Sequence, residues 1–157
     1  MTIQEKSVLG AQPFLRGLAD DHLATLASLC RHVAVPARQR LFEAGAVADR
    51  FWLLDAGQVV IDTTVPGRGR LVIETIGRGD VTGVSWLLPP YQWRFGAMTM
   101  QPMQGFEFDA RAVRAACDEE PTLGYELSRR ISGVLARRLQ ATHARLLDSY
   151  ATSEITL

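Results

Sequence analysis

Between His32 and Ala110 the chain alternates short apolar runs with Gly and Pro: HVAVPA, RLFEAG, RFWLLDAG, QVVIDTT, RLVIETIG, WRFGAMTM and GFEFDA. Runs of this length, rich in Val, Ile, Phe and Trp and bounded by turn residues, predict a series of β-strands. The VPGRG segment reads as a hairpin connection, since Pro66 and Gly67 suit a turn and Gly69 tolerates positive φ. From Gly79 to Trp93 the alternation lapses, and GDVTGVSWLLPPYQW predicts a loop holding one short helical turn.

Helical periodicity flanks this β region. After an apolar patch at Phe14, Leu15 and Leu18, Asp20 is placed to cap a helix on which Leu23, Leu26, Ala27 and Cys30 recur, ending near Arg31. Asp109 starts a second helix, ARAVRAACDEE, and Pro121 opens a third that runs to about Tyr150. On that long helix Leu127, Ile131, Leu135, Leu139, Thr142, Leu146 and Tyr150 form one stripe. A small β domain cannot cover so long a face, so a homodimer formed helix to helix is expected. The predicted organisation is a tail over 1–12, a β domain with flanking helices over 13–120, and a dimerisation helix with its tail over 121–157. Fold class is therefore mainly β, with an N-terminal helix and a long C-terminal helix.

Composition narrows the function. With 157 residues, 47% of them hydrophobic, the chain suits one domain that needs neither disulfides nor metal to hold a core. Seventeen basic side chains balance seventeen acidic ones, which removes the positive field that nonspecific nucleic-acid binding requires. Sixteen of the seventeen bases are Arg, leaving only Lys6 for lysine chemistry. Cys30 and Cys117 form no CxxC pair, and a reduced, cytoplasmic protein is expected. The longest stretch without a charge, Val81 to Trp93, is thirteen residues and is broken by Pro89 and Pro90, too short to span a membrane. The first fifteen residues lack the basic start and apolar run of a secretory signal.

Catalytic templates are missing. GxxxxGK and GxGxxG do not occur, and Gly83-Val84-Ser85 lacks the last glycine of a nucleophile elbow, so Ser85 is read as capping a turn. His22, His32 and His143 lie on separate elements and predict no metal triad; haem on His143 or a cysteine stays open as an alternative. No enzyme is expected. Arg129-Arg130 and Arg137-Arg138 read as a solvated helix face. Arg94 differs, since QWRFGAM is apolar around it and places it on a strand directly after the irregular loop. Its planar fork suits phosphate or carboxylate. Phe95, Gly96 and Ala97 follow, and the small pair would let backbone amides approach the same anion. Gly83, Val84 and Ser85 offer further amide donors. The other reading pairs Arg94 with Asp80 or Glu107.

Over about Phe14 to Tyr150 these residues resemble the cyclic-nucleotide-binding domains of the cyclic-AMP receptor protein and its relatives. LFEAGAVADRFWLLDAGQVVI is similar to the family's first signature, with Gly45 and Gly57 at its glycines. GRGDVTGVSWLL followed by WRFGAM resembles the phosphate-binding cassette, with no gap from Gly83 to Arg94, and ARRLQAT resembles the dimerising helix. The resemblance implies a β-roll (double-stranded β-helix, or jelly roll) and a regulatory module whose guest is a cyclic nucleotide, cyclic AMP or cyclic GMP, or another small anion. It also implies base contacts from Thr142 and His143. Val84 stands where the family has a ribose-binding glutamate, and Phe95 where it has a small hydroxyl residue. Losing one charged hydrogen bond of roughly 1.5–3 kcal/mol weakens binding about ten- to a hundredfold, so weakened or altered specificity is expected. The family's transcription factors carry a helix-turn-helix after the long helix, and only seven residues follow Tyr150 here, so direct DNA binding is not expected. An unidentified partner protein would read the helix. The alternative is a degenerate, ligand-free domain serving as a dimeric scaffold, docking through its helix and an exposed surface of Trp86, Pro89, Pro90, Tyr91 and Trp93.

Overall fold

The structure is a computed structural model that describes residues 2–154. Seven antiparallel strands build two sheets: β1 (Cys30–Val35), β7 (Met103–Asp109) and β3 (Arg50–Ala56) in the order β1-β7-β3, and β2 (Arg40–Phe42), β6 (Gly96–Thr99), β4 (Val59–Val65) and β5 (Gly69–Ile76) in the order β2-β6-β4-β5. The two sheets share one core. Phe51, Leu53, Phe106 and Phe108 enter it from the first sheet, and Phe42, Val59, Ile61 and Ala97 from the second. Gly105 has no side chain because a Cβ there would meet the Leu53 carbonyl oxygen at 2.4 Å, where β7 crosses β3. The β4–β5 hairpin closes as expected through Gly67 and Gly69, both at positive φ, with the Arg68 amide donating to the Val65 carbonyl. This is the β-roll with flanking helices that the strand pattern and the resemblance predicted.

The amino terminus departs from expectation. Residues 1–12 are not a tail within the described part, because Ile3–Ala11 forms helix α1 and buries Leu9 completely. Its start is a reciprocal capping box: the Glu5 amide donates to Thr2 Oγ1 and the Thr2 amide to Glu5 Oε2. A single 3-10 turn, Pro13–Leu15, leads to α2 (Asp20–Ser28). Asp20 is the first helical residue rather than the cap, which is Ala19, and α2 stops three residues short of Arg31 because Cys30 and Arg31 pair with β7 as the start of β1. Asp109 does cap α3 (Ala110–Glu119), accepting from the Ala112 amide.

Helix α4 (Pro121–Glu154) packs Leu123, Leu127, Ile131 and Val134 into the core. Beyond them the expected stripe emerges from the domain: Leu135, Leu139, Leu146 and Tyr150 are exposed, Leu139 by 56%. No helix among the described residues is long and apolar enough to cross a membrane.

Candidate functional site

The segment between β5 and β6 is held at both ends by indoles. Trp86 is fully buried and stacks on Phe51 of β3, with ring centroids 4.0 Å apart, and Trp93 stacks on Phe42 of β2 at 3.7 Å. Trp93 also exchanges backbone hydrogen bonds with the β2–β3 connection, its amide donating to Ala46 and its carbonyl accepting from Gly45. This pairing keeps Trp93, Arg94 and Phe95 out of β6, which starts at Gly96 rather than at Trp93 as predicted. The helical turn expected in the loop reduces to one bond, from the Leu87 amide to the Val84 carbonyl, and Ser85 caps nothing among the described residues. The surface proposed for docking shrinks accordingly. Trp86 and Trp93 lie inside, Tyr91 is half-buried with the Arg114 guanidinium 4.0 Å over its ring, and Leu88, Pro89 and Pro90 stay exposed.

This anchoring presents the polar groups the sequence singled out. Arg94 is exposed and, among the described residues, makes no hydrogen bond or ion pair. The reading that paired it with an internal carboxylate is overturned. Glu107 already accepts from Arg31 at 2.7 Å and from the Trp52 indole at 3.0 Å, while Asp80 lies in a cleft beneath α4. Nor does Phe95 fill the roll, since it is 42% exposed. Gly83 lies against the Trp93 indole, where an added Cβ would stand 2.5 Å from Cζ3, so the loop packs on the residue that precedes Arg94 in sequence. The amides of Gly83, Val84, Ser85 and Trp86 have no acceptor among the described residues. Unpaired amides in this loop and a free guanidinium on the segment that follows it are both groups that donate to anions.

Gly96 serves another purpose than the one expected. A Cβ on it would lie 2.0 Å from Arg40 Nη2 and 2.6 Å from Asp62 Oδ1, so its missing side chain makes room for a buried ion pair rather than for a guest. Arg40 donates to both Asp62 oxygens, at 2.5 and 3.0 Å, and holds the Asp62 carboxyl below the usual carboxylate range.

The other half of the candidate site is on α4. Arg138 donates to the Val81 carbonyl, just ahead of Gly83, and its Nε lies 3.0 Å from Glu74 Oε1. Burial pushes the Arg138 guanidinium pKa down, and the nearby Glu74 and Asp80 charges work against that shift. Two turns later Arg145 donates to the Ile73 carbonyl at 2.8 Å. Thr142 falls between these anchors, four residues after one and three before the other, and so shares their face; His143 is a helical step to the side. Both are exposed, and the Thr142 hydroxyl donates back to the Arg138 carbonyl.

The four arginines read as a solvated face divide. Arg130 and Arg138 are fastened, Arg130 to the Phe14 and Arg16 carbonyls, while Arg129 and Arg137 remain exposed. The sequence reading missed Arg138, Glu74 and Arg40 as residues that position the site. Only the apolar run interrupted by Asp62 in β4 hinted at an internal partner. Burial raises the Cys30 thiol to about 12.

A sequence model of the cyclic nucleotide-binding domain matches residues 32–120. A CRP-like cAMP-activated global transcriptional regulator from Mycobacterium tuberculosis is 25% identical over 141 residues, covering 90% of this chain and 61% of that protein. The chain thus spans about three-fifths of the length of the curated relative. Among solved structures, a cyclic nucleotide-binding domain from Methylobacillus flagellatus is similar with a TM-score of 0.77 and 18% identity, covering 92% of this chain and 83% of that one. The regulatory domain of Toxoplasma gondii PKA, solved with cAMP, is similar with a TM-score of 0.66 and 16% identity, over 73% of this chain and 45% of that one.

Proposed function

Because this chain belongs to the cyclic nucleotide-binding domain family, we propose that it is a non-catalytic sensory module that takes a small anion at Arg94 and the Gly83–Trp86 amides. The observation that carries the reading is that one segment holds both an Arg94 guanidinium with no partner and four amides that nothing in the described chain accepts from. A cyclic nucleotide fits that donor set through its phosphate, and the cAMP named for the mycobacterial and Toxoplasma relatives makes it the first guest to try. Val84 supplies no carboxylate for a ribose hydroxyl and Phe95 no hydroxyl for the phosphate, so the affinity is weaker, or the specificity different, from that of a domain with both. Thr142, on the face of α4 turned to the roll, and His143 beside it are the groups for the base end.

The signal passes to α4. A guest that engages the Gly83 loop acts two residues from Val81, where Arg138 holds the helix, and so favours one setting of α4 over another. The exposed leucines of α4 pair two copies of the chain, and a partner protein reads the result.

Calorimetry with cyclic AMP and cyclic GMP, run on the wild type and on Arg94→Ala, tests the proposal. Heats in the wild type that vanish in the variant support it. Unchanged heats in the variant overturn the cradle, and a wild type that gives no heat and no shift in melting with either nucleotide favours the ligand-free scaffold.

A further inference from the structure

A second cationic site lies outside the cassette. A cleft of about 690 Å³ opens between the 3-10 turn, the end of the β5 connection and one face of α4. That volume is in the range of small-molecule sites. Four guanidiniums line it, from Arg78, Arg129, Arg130 and Arg137, against two carboxylates, Asp80 and Glu126.

Three of the four guanidiniums are not spent internally. Arg130 is the structural member, bonded to the Phe14 and Arg16 carbonyls and 3.6 Å from Glu126, yet its Nε is buried without a partner. Arg78, Arg129 and Arg137 are exposed and, among the described residues, form no ion pair or hydrogen bond. Like charges gathered around a concavity repel one another, and an anion between them relieves that repulsion.

Spacing gives the shape of the guest. Arg129 and Arg137 are eight residues apart, about 12 Å along a helix. Gly133 lies midway on the same face, and the Arg137 guanidinium reaches back over it, its Nη1 3.8 Å from where a Cβ would stand. Phe14, Val81 and Val134 supply apolar wall. We infer that this cleft binds an elongated small molecule with two separated anionic groups, one held by the Arg129 end and one by the Arg137 end. Arg78 reaches it from the segment leading into the cassette. Such a guest ties α4 to the residues just before Gly83, which makes it a second input to the same helix. The site stands whether or not the cassette binds a nucleotide.

Inorganic tripolyphosphate and orthophosphate serve as probes, titrated calorimetrically into the full chain at fixed ionic strength. The wild type is expected to bind the linear probe at least about tenfold more tightly than orthophosphate. Arg129→Ala/Arg137→Ala, at exposed positions whose loss leaves the core intact, should erase that preference. Arg94→Ala and the remote pair Arg68→Ala/Arg111→Ala should keep it. No preference in the wild type, an equal loss in the remote pair, or a loss confined to Arg94→Ala each overturns the inference.

Discussion

The Arg138 guanidinium of α4 donates to the backbone carbonyl of Val81, two residues before Gly83. One side chain therefore joins the long helix to the start of the cassette, and Glu74 on β5 completes the clasp. Because the group is largely buried, its bonds are shielded from competing water.

Removing the clasp should be felt beyond the site of mutation. Arg138→Ala strips the Val81 carbonyl and the Glu74 carboxylate of their partner, at an expected cost of about 1–3 kcal/mol. Amide exchange should rise in α4 past residue 138 while Leu123 to Val134 stay protected. Arg137→Ala, one residue earlier and exposed, should shift stability by less than about 0.5 kcal/mol. Equal effects in the two variants would show that Arg138 fastens nothing.

Gly83 and Trp93 should be coupled through space. In Gly83→Ala the new Cβ would stand 2.5 Å from the indole. The ring must leave its stack on Phe42 or the loop must move, at about 1–3 kcal/mol. Tryptophan fluorescence should shift to the red as Trp93 gains exposure. A variant with wild-type melting and emission would mean that the loop yields without cost.

Acid should reveal the Arg40–Asp62 pair. Asp62 is 4% exposed, and the hydrogen bond from Arg40 lowers its folded pKa. A depressed folded pKa stabilises the protein fully above the unfolded carboxylate value of about 3.9, and that contribution disappears as pH falls through the lower folded value. Asp62→Asn should therefore cost about 1.5–3 kcal/mol at pH 7, Arg40 keeping Glu43 as a partner. In urea denaturation the gap between the variant and the wild type should narrow below about pH 4. A gap independent of pH would place the loss in packing instead of charge.

The exposed end of α4 should set the assembly state. Leu139 and Leu146 are each more than half exposed, so Leu139→Asp/Leu146→Asp removes nothing from the core. Native mass spectrometry should show a dimer for the wild type and a monomer for the variant, with the variant's roll still folded by circular dichroism. A wild-type monomer at micromolar concentration would end the dimer proposal.

Most strands were legible because each is written locally, as a short apolar run closed by Gly or Pro. Where a run was cut differently, a distant partner decided. Trp93 reads as the start of a strand, yet it bonds to Gly45 and Ala46 and leaves β6 to Gly96. Helix α1 was missed and read as a tail: the Thr2-to-Glu5 capping box marks its start, but its weak periodicity concealed it. The candidate site was half legible: Gly83 and Arg94 stand out by type and spacing, whereas Gly96 reads as an anion contact and proves to make room for Arg40.

The sequence by itself determined the strand-rich middle, the hairpin glycines, the long helix and the isolated arginine, since each depends on neighbours within a few positions. Only the tertiary structure decided which member of each arginine pair is bound, Arg130 over Arg129 and Arg138 over Arg137. It also put two tryptophans inside the roll and left Arg94 without a carboxylate. Adjacent residues of one type are alike in sequence, and what separates them is a helical step of 100° together with carbonyls contributed by segments 57 to 116 residues away.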